Sequence, residues 1–225
     1  MASNYGPPPK DGKGSSNLTK EIAWFNRLPE VKELFWGDIL LKKVYDGKNM
    51  VVKSQSWFSG WGGTKYTGHA AIAVYASKGA GMATCLAESK SGQGPVLTHP
   101  VPADTRYIVY RCTVPGAAES AAIWALSVAS GDYGKVEYSK GHCLHAGPHS
   151  SDFGENAQQR QLQIINGQLP DKAMMCSEFV TYAYQTEPPP YIKLDAKHTS
   201  PMRLECYLYE SKFFKLIGRL GPTKQ

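Results

Sequence analysis

The stretch Met174-Met175-Cys176-Ser177-Glu178-Phe179-Val180-Thr181-Tyr182-Ala183-Tyr184 places a cysteine where an amphipathic helix should begin. Counting from Cys176, apolar residues recur at Phe179, Val180, Ala183 and Tyr184, the stripe of a helix lying on a core. Cys176 then falls in the first turn, whose unpaired N–H groups and positive dipole end favour an anion, so the thiol there can react as its thiolate. The same stripe also suits a buried cysteine that only fills space. A cysteine nucleophile needs a base within hydrogen-bond reach, and the base needs a third group that fixes its tautomer and stabilises the imidazolium. His69, behind Gly68 at the mouth of the apolar run 70–75, and Glu88, in the next run, are the candidates. On adjacent antiparallel strands their side chains can share one side of a sheet, against which the Cys176 helix would pack. Gln93, Asp104 or a backbone carbonyl could orient His69 instead, and taken singly His69 also reads as a strand-end histidine and Glu88 as a surface carboxylate. The chemistry open to the three is attack of Cys176 on an amide carbonyl, a thioester, protonation of the leaving amine by His69 and release of the acyl group by water. The oxyanion would rest on the Cys176 backbone N–H and one further donor.

Two other clusters carry reactive or adhesive side chains. Trp57-Phe58-Ser59-Gly60-Trp61-Gly62-Gly63 is aromatic and glycine-rich, so Trp57, Phe58 and Trp61 can line a binding cleft or cover a small core. His142-Cys143-Leu144-His145-Ala146-Gly147-Pro148-His149 packs three histidines and a cysteine into a short run, all of them ligand types for zinc. Gly147-Pro148 prevents one continuous helix from presenting them together, and no second ligand group stands at a recognised spacing. A mobile surface loop is the default, and no metal or cofactor is called for.

Positioning these residues requires a sheet and helices. Residues 1–16, with Pro7-Pro8-Pro9 and Gly12, Gly14, Ser15 and Ser16, read as a flexible leader. Leu18 to Phe35 has helical spacing that Pro29 divides into two short helices. Strands are predicted from Trp36 to Val44, with Asp38 capping the preceding turn, and at Met50–Lys53, Thr67–Tyr75, Ala83–Ser89, Gly94–His99 and Arg106–Cys112. Their short spacing predicts an antiparallel sheet. Gly116–Ser130 is an alanine-rich helix, residues 131–160 form an aperiodic insertion, a short helix covers Gln158–Ile165, and a final strand lies near Phe213–Ile217. Residues 17–225 are thus one domain of α+β class.

Composition narrows the function classes. With 42% hydrophobic residues in 225 the chain can bury a core and is not disordered. No run of about 18 apolar residues suggests a membrane span, and the polar start lacks a signal-peptide core, which predicts synthesis as a soluble cytosolic protein. Five scattered cysteines without CxxC pairs argue for free thiols rather than a disulfide scaffold. The charge of +6 is spread along the chain, a mild bias toward anionic surfaces without the basic block of a nucleic-acid binder.

Gly37-Asp38-Ile39-Leu40 before a strand, Gly68-His69 opening the next long one, Ala87-Glu88-Ser89 ending the following one, and Cys176-Ser177-Glu178-Phe179-Val180 opening a late helix together resemble the NlpC/P60 papain-like superfamily. The order His69, Glu88, Cys176 is that of its circularly permuted branch. The resemblance covers roughly Trp36 to Tyr184 and does not account for the 131–160 insertion. It implies a permuted papain-like fold, with an antiparallel sheet packed against helices and the catalytic cysteine at a helix N-terminus. It also implies a cysteine peptidase or amidase acting on an amide bond, most often in peptidoglycan stem peptides. For a wall hydrolase without a signal peptide, delivery by a specialised secretion system as an antibacterial effector, with a carrier and an immunity protein as partners, or release by lysis, would follow. The alternatives are a lecithin:retinol acyltransferase-like enzyme, which shares the His-before-Cys order, and a non-catalytic cell-wall-binding module.

Overall fold

The computed structural model describes residues 6, 9, 15–45, 66–78, 81–146 and 151–223, without the side chains of 15–17, 78, 144 and 145. Trp57, Phe58 and Trp61, the expected strand at Met50–Lys53, His149 and most of the leader lie outside the described residues.

Six strands form one antiparallel sheet: β1 (Ile39–Lys43), β2 (Thr67–Lys78), β3 (Gly81–Lys90), β4 (Gly94–Thr98), β5 (Tyr107–Cys112) and β8 (Phe214–Leu220). Their order is β4-β3-β2-β1-β5-β8. A second, two-stranded sheet pairs β6 (Glu137–Tyr138) in parallel with β7 (Ala173–Met174). The helices are α1 (Ser15–Arg27), α2 (Pro115–Ser130), α3 (Lys140–His145), α4 (Glu155–Ile165), α5 (Cys176–Ala183) and α6 (Pro201–Glu210), with a 3-10 turn at Ala196–His198. The fold is therefore α+β with an antiparallel sheet packed against helices, as expected. No helix among the described residues is long and apolar enough to cross a membrane.

Alternation along the strands sorts two cores. Ile39, Leu41, Ala70, Ile72, Val74, Ala87, Ile108 and Tyr110 face the helices, where Trp24 and Phe25 of α1, the alanines of α2, Phe179 and Val180 of α5, and Leu204 and Leu208 of α6 cover them. Leu40, Ala71, Ala73, Leu86, Tyr107 and Val109 form a thinner layer on the other face under Leu34, Val31 and Val101. The alanine repeat of α2 is what lets that helix lie close on the sheet. At the entry to β1, Gly37 has φ +80° and an added Cβ would stand 2.5 Å from Ala118 O, so the turn and the helix contact both require glycine. Asp38 does cap that turn, accepting from Phe35 N at 2.8 Å, and it also takes a bidentate pair from Arg111.

Three elements differ from expectation. The predicted second helix after Pro29 is absent: the chain runs extended along β8, with Arg219 N donating to Pro29 O and Val31 N to Arg219 O. The 131–160 insertion is not structureless but holds β6, α3 and the start of α4. Helix α6 was not anticipated, because one of its inward residues is a glutamate. Glu205 and Glu21 of α1 both meet Lys43 Nζ at 2.8 Å, and all three side chains are buried. Thr67 Oγ1 accepts from the same ammonium and donates to Glu205, so α1, β1, β2 and α6 converge on one buried cation.

Candidate active site

The sheet is not continuous where the site lies. The β2–β3 ladder runs from Lys78↔Gly81 to Ile72↔Ala87 and stops, while β2 goes on to Thr67 against β1 and β3 goes on to Lys90 against β4. The two strands fork. Strand β7 and the first turn of α5 meet this fork: Ser89 Oγ donates to Met174 O at 2.7 Å, and the Ala70 N–H, no longer needed by β3, hydrogen-bonds the Cys176 sulfur. Alternation sends His69 and Glu88 toward the Ala71 and Leu86 side of the sheet, whereas α5 packs on the Ala70, Ile72 and Ala87 side. Thiol and imidazole therefore meet at the fork, not across the helix-covered face.

Cys176 is the first residue of α5, preceded by Met175 in an extended conformation (φ −84°, ψ 170°). Glu178 at the third helical position folds back to accept from Met175 N at 3.1 Å, which closes the turn. The sulfur receives hydrogen bonds from His69 and from the backbone N–H groups of Ala70 and Ser177. His69 Nε2 lies 2.5 Å from Glu88 Oε2, which leaves Nδ1 as the nitrogen for Cys176. Glu88 Oε1 meets Lys90 Nζ at 3.1 Å, and Thr98, which accepts from Lys90, also bonds the carboxylate. The thiol and the carboxylate anticipated from sequence thus lie on the two sides of His69, which contacts both, and Gln93 and Asp104 do not appear among the groups bonded to His69.

The electrostatics follow from these contacts. Burial alone would raise the Cys176 thiol, but the His69 charge, its hydrogen bond and the two backbone N–H groups outweigh it and hold the pKa below the usual thiol value. Burial lowers His69, yet the Cys176 and Glu88 anions on its two sides push it up to about 9. Burial raises Glu88, and the hydrogen bond and charge of His69, with Thr98 and Lys90, bring it down to about 2. At neutral pH Glu88 stands as carboxylate and His69 as imidazolium, and the lowering of Cys176 favours its thiolate, the form in which a cysteine is nucleophilic.

A second layer was not found from sequence. Tyr138 OH and Cys143 Sγ are 2.9 Å apart, and both feel the charge of Cys176. Burial and that neighbouring anion push Cys143 up to about 11, so it is no rival nucleophile. His142 Nδ1 lies 2.8 Å from Glu178 Oε2. In place of the default mobile loop, α3 is anchored: the Ser139 side chain caps it at His142 N, and Ser139 N donates to Met174 O. The His/Cys cluster read as potential zinc ligands engages Glu178 and Tyr138 through His142 and Cys143, and no group of three such ligands gathers among the described residues. The capping-box position of Glu178 was the one available signal for this layer.

An open groove of about 750 Å³ lies elsewhere, lined by Glu30, Glu33, Leu34, Thr84, Val101 and Arg219, and none of the groups around Cys176 line it. Its lining holds no cysteine or histidine, so the candidate site is taken from the contacts at the fork rather than from cavity size. Compared with known proteins, the chain matches no family model, no curated protein and no solved structure.

Proposed function

We propose that the protein is a cysteine hydrolase that cleaves an amide bond, an amidase or endopeptidase working through a thioester. One observation carries this reading: a thiol at the N-terminus of a helix contacts a histidine whose far nitrogen is held by a buried carboxylate. The Cys176 thiolate attacks the carbonyl carbon, and the oxyanion faces the Cys176 N–H, which at the first helical position has no acceptor within the helix. His69 gives its proton to the leaving amine, the C–N bond breaks, and the thioester forms. Water then loses a proton to His69 and attacks the thioester, the C–S bond breaks, and the acid leaves as the thiolate is restored. Glu88 keeps the imidazole oriented and stabilises its charge throughout.

The order His69, Glu88, Cys176 on strand, strand and helix supports placing the chain beside the circularly permuted NlpC/P60 enzymes. On that basis we take the substrate to be a peptide amide in peptidoglycan stem peptides, whose acidic mesh suits a chain of charge +6. Action in a target cell's envelope after delivery by a specialised secretion system, with an immunity protein guarding the producer, completes the proposal. Purified peptidoglycan digested with wild-type protein and with Cys176→Ala, followed by mass spectrometry of the soluble products, tests it. New amine and carboxyl termini released only by the wild type are expected. Products that persist in a folded Cys176→Ala protein refute the mechanism, and peptidoglycan left intact by the wild type refutes the substrate.

A further inference from the structure

Glu88 lies one residue past the last β2–β3 pair, Ile72↔Ala87, where its backbone pairs only with β4. Its buried carboxylate meets two cations: Oε2 lies 2.5 Å from His69 Nε2, and Oε1 lies 3.1 Å from Lys90 Nζ. Lys90 is not a loose surface lysine. Although its side chain is 37% exposed, it leans back along the face it shares with Glu88 and donates to Thr98 Oγ1 at 2.6 Å, and Thr98 stands on β4 opposite Leu86. Thr98 in turn bonds the Glu88 carboxylate, so ammonium, hydroxyl and carboxylate close a ring of contacts. Were orienting His69 the one task of Glu88, neutral donors would complete its shell. A second cation does more, because it offsets the negative charge that the first one feels.

The sharing bears on one step of the reaction. His69 must give a proton to the leaving amine and then, as neutral imidazole, take one from water. Burial lowers His69, and the anions that raise it are Cys176 and Glu88; in the thioester Cys176 carries no charge, which leaves Glu88 to hold the imidazolium. Resting on the cysteine-hydrolase reading above, we infer that Lys90 is a positioning residue of the reaction: it draws on the Glu88 carboxylate and so frees His69 to act as the base that activates water. The charged or titratable groups facing Glu88 are His69 from β2, Lys90 from β3 and Tyr107 from β5, and those facing His69 are Cys176 and Glu88. Lys90 thus acts on His69 through the carboxylate between them.

Cys176→Ala removes the anion beside His69, as the thioester does, and needs no substrate. NMR titration of labelled histidine in this protein reads the imidazole directly, with His69 assigned by the signal lost in Cys176→Ala with His69→Gln. Adding Lys90→Met should raise the His69 midpoint by about half to one pH unit, the effect of a partly screened ion pair, and leave about three- to tenfold less neutral imidazole below the midpoint. Lys90→Arg in the same background keeps the charge and should keep the midpoint. If Lys90→Met does not fold, Lys90→Gln replaces it, and the same rise is expected. A midpoint that stays or falls when Lys90→Met is added, in a parent whose His69 is raised, overturns the inference alone and leaves Lys90 an ordinary surface ion pair. A parent His69 that titrates at about 6.5, the value of an ordinary histidine, would instead refute the pairing of Glu88 with His69 on which the hydrolase reading and this inference both rest.

Discussion

Replacing Glu88 by glutamine keeps the shape of the group that orients His69 and removes its charge. His69 stands at about 9 against a usual 6.5, and Glu88 at about 2 against a usual 4.5. Each displacement corresponds to about 3 kcal/mol in favour of the ionised pair. The His69 displacement is shared with Cys176, so the carboxylate's part is set near the 1.5–3 kcal/mol of a charge-assisted hydrogen bond, or roughly one to two pKa units. Glu88→Gln should therefore bring the imidazolium down from about 9 to roughly 7–8. The loss of charge also leaves Lys90 without its carboxylate, which acts in the same direction. The assay is the rate of Cys176 alkylation from pH 5 to 10, with the alkaline limb reporting His69 and the acidic limb the thiolate. The two limbs should approach each other, and substrate turnover should fall by about 2–10-fold near pH 8 as the general acid loses its proton. Stability carries a matching signature. The depressed Glu88 stabilises above its usual 4.5 and ceases to do so as pH falls through about 2, and the raised His69 stabilises below its usual 6.5 and ceases as pH rises through about 9. Wild type and variant should thus differ most in urea midpoint near pH 5–6 and converge at both extremes. An alkaline limb that stays near 9 in the variant, in a protein that still folds, would show that Glu88 does not set the charge of His69.

Thiol selectivity follows from the same electrostatics. At pH 7 limited iodoacetamide should modify Cys176 first although it is the more buried thiol, because Cys143 and Cys206, both raised to about 11, hold only about one thiolate in ten thousand. Equal labelling of Cys143 and Cys176 would contradict the depressed Cys176 value. In the core, Lys43→Met removes the cation from between the buried Glu21 and Glu205 and should cost about 3–5 kcal/mol, read as a lower urea midpoint at unchanged slope. A loss under about 1 kcal/mol would mean that the carboxylates take up protons at little cost. Gly37→Ala should destabilise by more than Gly92→Ala: both have φ near +80°, but only at Gly37 would the new Cβ meet a neighbour, Ala118 O at 2.5 Å. Equal melting temperatures for the two variants would refute the contact argument.

The strands from Ile39 to Cys112 were legible because each is a run of β-branched, aromatic or small apolar residues bounded by glycine, proline or serine. The α2 and α5 helices were legible from composition and from the stripe behind Cys176. Cys176, His69 and Glu88 could be named together because their residue types suit one reaction and their elements could be placed. What stayed hidden depends on pairs with no local pattern. The Lys43–Glu205 contact joins residues 162 positions apart, and it puts a charge on the inward face of α6 where a periodic reading looks for an apolar residue. His142 and Glu178 lie 36 positions apart, so the histidine's neighbours suggested a metal while its partner sat on another helix. Pro29 was read as a break between helices, and only the arrival of β8 gives the following residues a strand to lie along.

The forked sheet also fixes when the chemistry can begin. His69 and Glu88 leave the ribosome early, on strands that pair with their immediate neighbours, but the fork between them is filled only by a segment synthesised much later. Lys43 waits longer still, for Glu205. Since chains are made from the N-terminus and long-range pairings close last, a nascent copy carries His69 and Glu88 without Cys176 beside them until the later segment has emerged. Under the proposed mechanism, a product that stops before Cys176 would carry the base without its nucleophile.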